Sequence, residues 1–89
     1  MPTLLAINAN TSASITDLVA RHLRGALLPD TELRAVTGRF GAAYISTEIS
    51  NAIAGHAALD AFAQHGRGCD AVLLACFGDP GLFALREVS

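Results

Sequence analysis

Length and composition indicate one small globular domain. The chain has 89 residues, of which 52% are hydrophobic and 16% are charged, so it can bury a core and is too short for two domains. Six arginines without any lysine, against eight acidic residues, give a net charge of -2 and no basic run, which argues against a nucleic-acid-binding surface.

The sequence carries no signal for a membrane segment or a metal site. Its longest apolar run, residues 71–77, is far shorter than the roughly 20 residues that span a bilayer, and no signal-peptide pattern opens the chain. Cys69 and Cys76 lack CxxC spacing, and no metal-ligand spacing links the three histidines. We therefore expect a cytoplasmic protein with reduced thiols, no metal, and neither membrane nor nucleic acid as a partner.

Strand and helix patterns alternate from the N-terminus. Residues 3–7 form a short apolar run, typical of a buried strand, that ends in a polar loop. A helix pattern follows, which Ser12 or Ser14 can cap, with Asp17 at the capping-box position relative to Ser14. The side chains expected on its buried face are Ile15, Leu18, Val19, His22, Leu23, Ala26 and Leu27.

The same alternation continues to the end of the chain. Residues 32–37 alternate polar and apolar, which predicts a partly exposed strand near a sheet edge. Residues 46–48 supply a cap and a first-turn acid for a second helix, which Gly66 closes. Residues 70–77 read as a third strand covered on both faces, and residues 82–87 begin a third helix.

This βαβαβα order predicts an α/β fold for residues 1–89. We expect a three-stranded parallel sheet of order 2-1-3 with flanking helices. No fourth strand follows the third, so one sheet edge is left open, and open edges are normally paired or covered. We therefore expect a homo-oligomer or association with a further lobe.

Two segments fall at the carboxyl ends of neighbouring strands, where ligands of open parallel sheets bind. Each leads into a helix whose free N–H groups favour an anion. The first segment has neither a GxGxxG fingerprint nor a P-loop. Its side chains can bind a substrate or simply cap the helix, and capping is the commoner role for this composition. They are Asn8, Asn10, Thr11 and Ser12.

The second segment contains Cys76, Phe77, Gly78 and Asp79. Cys76 is either a buried apolar filler or a reactive thiol whose pKa is lowered by the following helix N-terminus. Asp79 can orient a ligand or cap the helix. Cys69 precedes the third strand, at the opposite end of the sheet, and is interpreted as a packing residue.

Three ordered motifs span nearly the whole chain. They are I-N-A-N-T-S at residues 7–12, F-G-A-A-Y-I at residues 40–45 and C-F-G-D-P-G-L at residues 76–82. Together they resemble the aspartate/glutamate/hydantoin racemase superfamily, most closely its hydantoin racemase branch.

The resemblance implies a cofactor-independent racemase of hydantoins or amino-acid derivatives, built from two flavodoxin-like lobes with one cysteine from each. Cys76 matches the cysteine of the first lobe. One thiolate would remove a proton from the carbon next to a carbonyl, and a thiol on the opposite face would return one. The resemblance also assigns Asn8 and Thr11 to substrate binding and Gly78 to a position of close approach.

The chain matches only the N-terminal lobe of such a racemase, because no second cysteine-bearing strand-to-helix turn follows Cys76. Two other functions stay open. One is a non-enzymatic anion-binding or assembly module that has lost its second lobe. The other is an isomerase or decarboxylase of the same superfamily that uses a single thiol.

Overall fold

The computed structural model describes residues 2–42, 45, 47–75 and 81–88. In these residues three parallel strands form one sheet of order β2-β1-β3, which confirms the predicted fold class and strand order. The elements in chain order are β1 (Thr3–Asn8), α1 (Ala13–Ala26), β2 (Glu32–Thr37), α2 (Glu48–His65), β3 (Ala71–Leu74) and α3 (Leu82–Val88).

The core lies between the sheet and α2. Leu5 and Ile7 of the central strand β1 are fully buried against an alanine-rich face of α2. Small side chains let the helix lie close to the sheet, and Leu85 of α3 completes the cluster. The alanines of that face are Ala54, Ala57, Ala58 and Ala61.

Helix α2 begins and ends as the sequence indicates. The Thr47 hydroxyl accepts a hydrogen bond from the Ser50 N–H at 3.0 Å, and the Ser50 hydroxyl accepts one from the Thr47 N–H, which forms a capping box. Gly66 is the C-cap. Arg34 of β2 stabilises the same end by donating to the carbonyls of His65 and Arg67.

Helix α1 differs from the prediction in the face that it buries. Its buried residues are Thr16 and Ala20, whereas Leu18 is 44% exposed and His22 is exposed. The helix is turned so that Thr16 meets polar groups of Asn8 and Thr37. The side of α1 that faces the sheet is therefore the side that carries Thr16, because the polar groups of Asn8 and Thr37 need hydrogen-bond partners. It is not the side where the apolar side chains are concentrated.

The predicted Ser14–Asp17 capping box is wrong. Helix α1 starts at Ala13, so Ser14 lies inside its first turn and Ser12 is the N-cap residue. The Ser12 side chain makes no capping hydrogen bond, and its hydroxyl lies 3.0 Å from the Ser14 hydroxyl instead. The first turn therefore begins without a side-chain cap.

Strand β3 is shorter and less covered than expected. It spans four residues, and Ala71 and Leu73 are exposed, Leu73 by 38%. The expectation that both faces are covered is wrong, because α1 packs on β1 and β2 and leaves that face of β3 open. The other face, with Val72 and Leu74, packs against the core.

Helix α3 returns to α2 at a point of close backbone approach. Gly81 has a φ of +77°, and a Cβ placed there would lie 2.9 Å from the Gly55 carbonyl oxygen. Any other residue would be strained by the positive φ and by the contact of its Cβ with Gly55, so glycine is needed for this approach.

None of the helices in the described part of the chain is both long enough and apolar enough to cross a membrane.

Candidate functional site at the carboxyl edge of the sheet

The carboxyl ends of the three strands meet at one edge of the sheet. Strand β1 is central, so the loop that follows it, residues 9–12, lies between the ends of its two neighbours. The Ala75 N–H donates to the Ile7 carbonyl at 2.9 Å on one side, and the Gly38 N–H donates to the Asn8 carbonyl at 2.8 Å on the other. The ends of the three strands are thus neighbours, as the predicted strand order requires.

Asn8 and Asn10 organise the loop through their side chains. The Asn8 Oδ1 accepts a hydrogen bond from the Asn10 N–H at 3.3 Å, and the Asn10 Oδ1 accepts one from the Ser12 N–H at 3.0 Å. Each of these bonds closes a short turn of the backbone. The Asn8 Nδ2 donates to the Asn10 Oδ1 at 2.8 Å and thereby links the two turns. Asn8 is only 2% exposed, whereas Asn10 is half-buried.

Gly38, the first residue after β2, lies against the same loop. Its N–H donates to the carbonyls of both Asn8 and Asn10, and a Cβ at this position would lie 2.7 Å from the Ala9 carbonyl oxygen. A glycine is therefore needed here for close backbone contact. The role of Gly38 was not predicted from the sequence, where the one signal for it is a glycine directly after an alternating strand.

Thr11 and Ser12 present polar groups at this edge. The Thr11 N–H donates to the Ala42 carbonyl at 3.1 Å, while its hydroxyl has no hydrogen-bond partner among the described residues. The N–H groups of the first turn of α1 also have no intrahelical acceptor, and Ser12 does not cap them. Because the helix dipole is positive here, the edge favours a carbonyl oxygen or an anion.

The predicted residues of the second segment, Cys76, Phe77, Gly78 and Asp79, lie outside the described residues. Cys69 is described, and it lies at the opposite, amino edge of the sheet as expected. It packs against the core beside Phe62 and Val72, and its thiol is free. Cys69 is thus not part of the site formed by the β1 loop.

The histidines show no metal-binding arrangement within the described ranges of the chain. His56 is exposed and packs edge-to-face against Phe40, with ring centroids 5.1 Å apart. Among the described residues no group of three His, Cys, Asp or Glu side chains is placed to hold a metal ion.

One ion pair anchors the loop that follows β2. The Arg39 guanidinium donates to both carboxylate oxygens of Asp60 on α2, at 2.8 and 2.7 Å. The hydrogen bond and positive charge of Arg39 lower the pKa of Asp60, and Asp60 in turn raises the pKa of Arg39. This pair holds the Gly38 end of the loop in place from outside the site.

Several known proteins of one family are similar to this chain in sequence. The Asp/Glu/Hydantoin racemase family model matches residues 4–89. The chain is 32% identical to a hydantoin racemase from Pseudomonas sp. (strain NS671) over 84 residues, covering 93% of this chain and 34% of that protein. It is also 32% identical to a hydantoin racemase from Paenarthrobacter aurescens over 88 residues, covering 97% and 37% respectively.

Solved structures show the same similarity in three dimensions. An allantoin racemase from Klebsiella pneumoniae superimposes with a TM-score of 0.90 at 38% identity, over 98% of this chain and 36% of that one. An allantoin racemase from Pseudomonas fluorescens gives a TM-score of 0.78 at 33% identity, over 82% and 31% of the two chains. The chain thus spans about a third of the length of the relatives it matches.

Proposed function

The chain belongs to the Asp/Glu/hydantoin racemase family, and from that premise we propose that it forms one lobe of a cofactor-independent racemase. The substrate class we propose is a 5-substituted hydantoin or a related amino-acid derivative, because the relatives are described as hydantoin and allantoin racemases. Allantoin is itself a hydantoin that carries a ureido group on its ring carbon, so both names indicate one ring chemistry.

The observation that carries the proposal is the donor-rich loop after β1. Removing the proton from the ring carbon moves negative charge onto a neighbouring carbonyl oxygen, which must be stabilised as it develops. The Thr11 hydroxyl, the Ser12 hydroxyl and the first-turn N–H groups of α1 belong to the segment at this edge and can donate to such an oxygen. Phe77, Gly78 and Asp79 are proposed to complete the binding surface.

Cys76 is proposed to supply the base. A thiolate next to a helix N-terminus is stabilised by the dipole, so it can exist near neutral pH and accept the proton. A second thiol, on the opposite face of the ring carbon, would return a proton and so invert the configuration. The second thiol is proposed to come from a further lobe, and reduced thiols fit a cytoplasmic location.

The test is polarimetry on an enantiopure 5-substituted hydantoin. We expect the 89-residue chain alone to show no appreciable racemisation, since it supplies Cys76 without an opposing acid. A chimera in which residues 1–89 replace the matching segment of the Pseudomonas sp. (strain NS671) hydantoin racemase is expected to racemise the substrate. Cys76→Ala and Cys76→Ser in that chimera are expected to abolish turnover.

Cys69→Ala is the matched control in the same chimera. It removes a thiol from the opposite edge of the sheet, so turnover is expected to be kept. A fully active Cys76→Ala chimera would remove Cys76 from the mechanism. A chimera that is folded and binds hydantoin without racemising it would instead favour the non-enzymatic binding module.

A further inference from the structure

A buried polar cluster connects the loop of the site to two other elements. It consists of Asn8 at the end of β1, Thr16 in α1 and Thr37 at the end of β2. Asn8 is 2% exposed and Thr16 is 6% exposed. The Asn8 Nδ2 donates to the Thr16 Oγ1 at 3.0 Å, and the Thr16 and Thr37 hydroxyl oxygens are 2.6 Å apart.

Both amide protons of the Asn8 side chain are used inside the protein. Its Nδ2 has two protons and three acceptors, namely the Asn10 Oδ1, the Ser12 carbonyl and the Thr16 Oγ1, at 2.8, 3.1 and 3.0 Å. Its Oδ1 already accepts from the Asn10 N–H. A substrate oxygen could accept a hydrogen bond from the Asn8 Nδ2 only by displacing one of these partners. Asn8 is also only 2% exposed, which limits the access of a substrate N–H to its Oδ1.

We propose that Asn8, Thr16 and Thr37 form a brace that holds the loop of residues 9–12 in its binding conformation, with Asn8 acting as a positioning residue and not as a substrate contact. The functional part of this inference rests on the proposed function. The brace joins the end of β1 to a hydroxyl on α1 and to one on β2. The position of the loop is therefore fixed relative to all three elements. It presents Thr11 and Ser12 without touching the ligand itself.

The brace depends on each of its hydrogen bonds, so the loss of a single hydroxyl group is expected to disturb it. Asn8 and Thr16 are buried and Thr37 is half-buried, so removing the Thr16 hydroxyl leaves a buried donor or acceptor without a full set of partners. A loop that spends only part of its time in the binding conformation binds more weakly by that same fraction. Loss of the Thr16 hydroxyl is therefore expected to weaken binding although Thr16 is not at the ligand.

The first measurement needs no ligand. Backbone ¹⁵N relaxation on the 89-residue chain reports the order parameters of Asn10, Thr11 and Ser12. Thr16→Val, which keeps the shape and removes the hydroxyl, is expected to lower them from about 0.85 towards about 0.6. Thr16→Ser, which restores the hydroxyl, is expected to keep them high, and Thr37→Val with Thr37→Ser forms a second pair.

The second measurement is the dissociation constant of a 5-substituted hydantoin, followed by NMR titration. Thr16→Val is expected to raise it about five- to tenfold relative to the unaltered chain, with Thr16→Ser close to the unaltered value. Ala20→Gly lies one turn further along the same buried face of α1. It lowers helix stability without touching the brace, so its dissociation constant is expected to be unchanged.

The outcomes separate the two proposals. Equal order parameters in Thr16→Val and Thr16→Ser would overturn the brace whether or not any ligand binds. Weakened binding in Ala20→Gly to the same extent as in Thr16→Val would reduce the effect to general stability and also overturn it. A chain that binds no hydantoin, yet loses loop order in Thr16→Val and keeps it in Thr16→Ser, would support the brace and count against the proposed function.

Discussion

The two cysteines lie on opposite sides of β3 in the sequence. Cys69 lies before β3 at the amino edge, packed against the core, and Cys76 follows the end of β3 by two positions in the sequence. The thiolate is the reactive form of a cysteine, and a helix N-terminus close to a thiol favours it. These sequence positions are the reason that Cys76 is the proposed base and Cys69 the control.

We expect iodoacetamide near neutral pH to label Cys76 faster than Cys69. The measurement is mass spectrometry of peptides from a labelling time course, with Cys69→Ala and Cys76→Ala as the reference variants for each site. Equal rates, or faster labelling at Cys69, would contradict the role proposed for Cys76.

The Arg39–Asp60 pair predicts a specific acid dependence. The pKa of Asp60 is lowered in the folded chain, mainly by the hydrogen bond from Arg39. A lowered carboxyl pKa stabilises the fold above the unfolded value of about 3.9, and this stabilisation is lost as pH falls through the folded pKa. The advantage of the unaltered chain over Asp60→Asn in urea unfolding should therefore be present near pH 6 and shrink below about pH 4.

Asp17→Asn is the charge-matched control for this experiment. Asp17 is exposed on α1 and has no ion-pair partner in the part of the chain that the structure describes. An Asp60→Asn chain whose stability difference stays constant down to pH 2 would show that the pair does not stabilise the fold.

At the scale of elements, the two long helices start in physically different ways. Helix α2 has a complete capping box, whereas α1 starts at Ser12 without a side-chain cap. A donor-rich helix start that lacks a cap keeps its N–H groups available, which is what the proposed site requires. The start of α1 thus leaves its N–H donors without a side-chain acceptor, whereas the first turn of α2 has the Thr47 hydroxyl as an acceptor.

This contrast predicts unequal costs for two similar substitutions. Thr47→Ala is expected to lower the free energy of unfolding by about 1 kcal/mol, because it removes the cap of α2. Ser12→Ala is expected to change it by less than about 0.5 kcal/mol, and to weaken hydantoin binding instead. Urea unfolding at pH 7 provides both values, and a larger stability loss for Ser12→Ala would show that Ser12 does cap α1.

At the scale of the whole molecule, several large apolar side chains are exposed on the surface. Leu73 on β3 and Leu18 on α1 are 38% and 44% exposed, and Ile49 on α2 and Phe83 on α3 are 75% and 81% exposed. A chain of this size buries a smaller fraction of its surface than a larger domain does, so covering such side chains adds to its stability. Association with a second copy or with a further lobe would cover them.

We expect the 89-residue chain to self-associate in a concentration-dependent way. Leu73→Thr places a polar group on the uncovered face of β3 and is expected to weaken association in sedimentation velocity experiments. Leu28→Thr is the control, since Leu28 is 72% exposed in the turn between α1 and β2. A stable monomer at about 100 μM would contradict the oligomer proposal.

Several features of this protein follow from the sequence because they depend on local chemistry or on general rules of chain geometry. The period-two pattern of residues 32–37 gives the observed bounds of β2, and Thr47 caps α2 as its residue type suggests. The βαβ order is enough to predict a parallel sheet with β1 in the centre. The strand order in turn places the polar segment after β1 at the edge where ligands bind.

Only the tertiary structure decides which side of α1 is buried and what Asn8 does. Hydrophobic periodicity selects the most apolar side of a helix, but it carries no information about a polar amide on a distant strand that needs a partner. Thr16 meets Asn8 across 8 residues and Thr37 across 21. Satisfying these buried groups turns Thr16 towards the sheet and leaves Leu18 exposed, because an unpaired buried amide costs more than a partly exposed leucine.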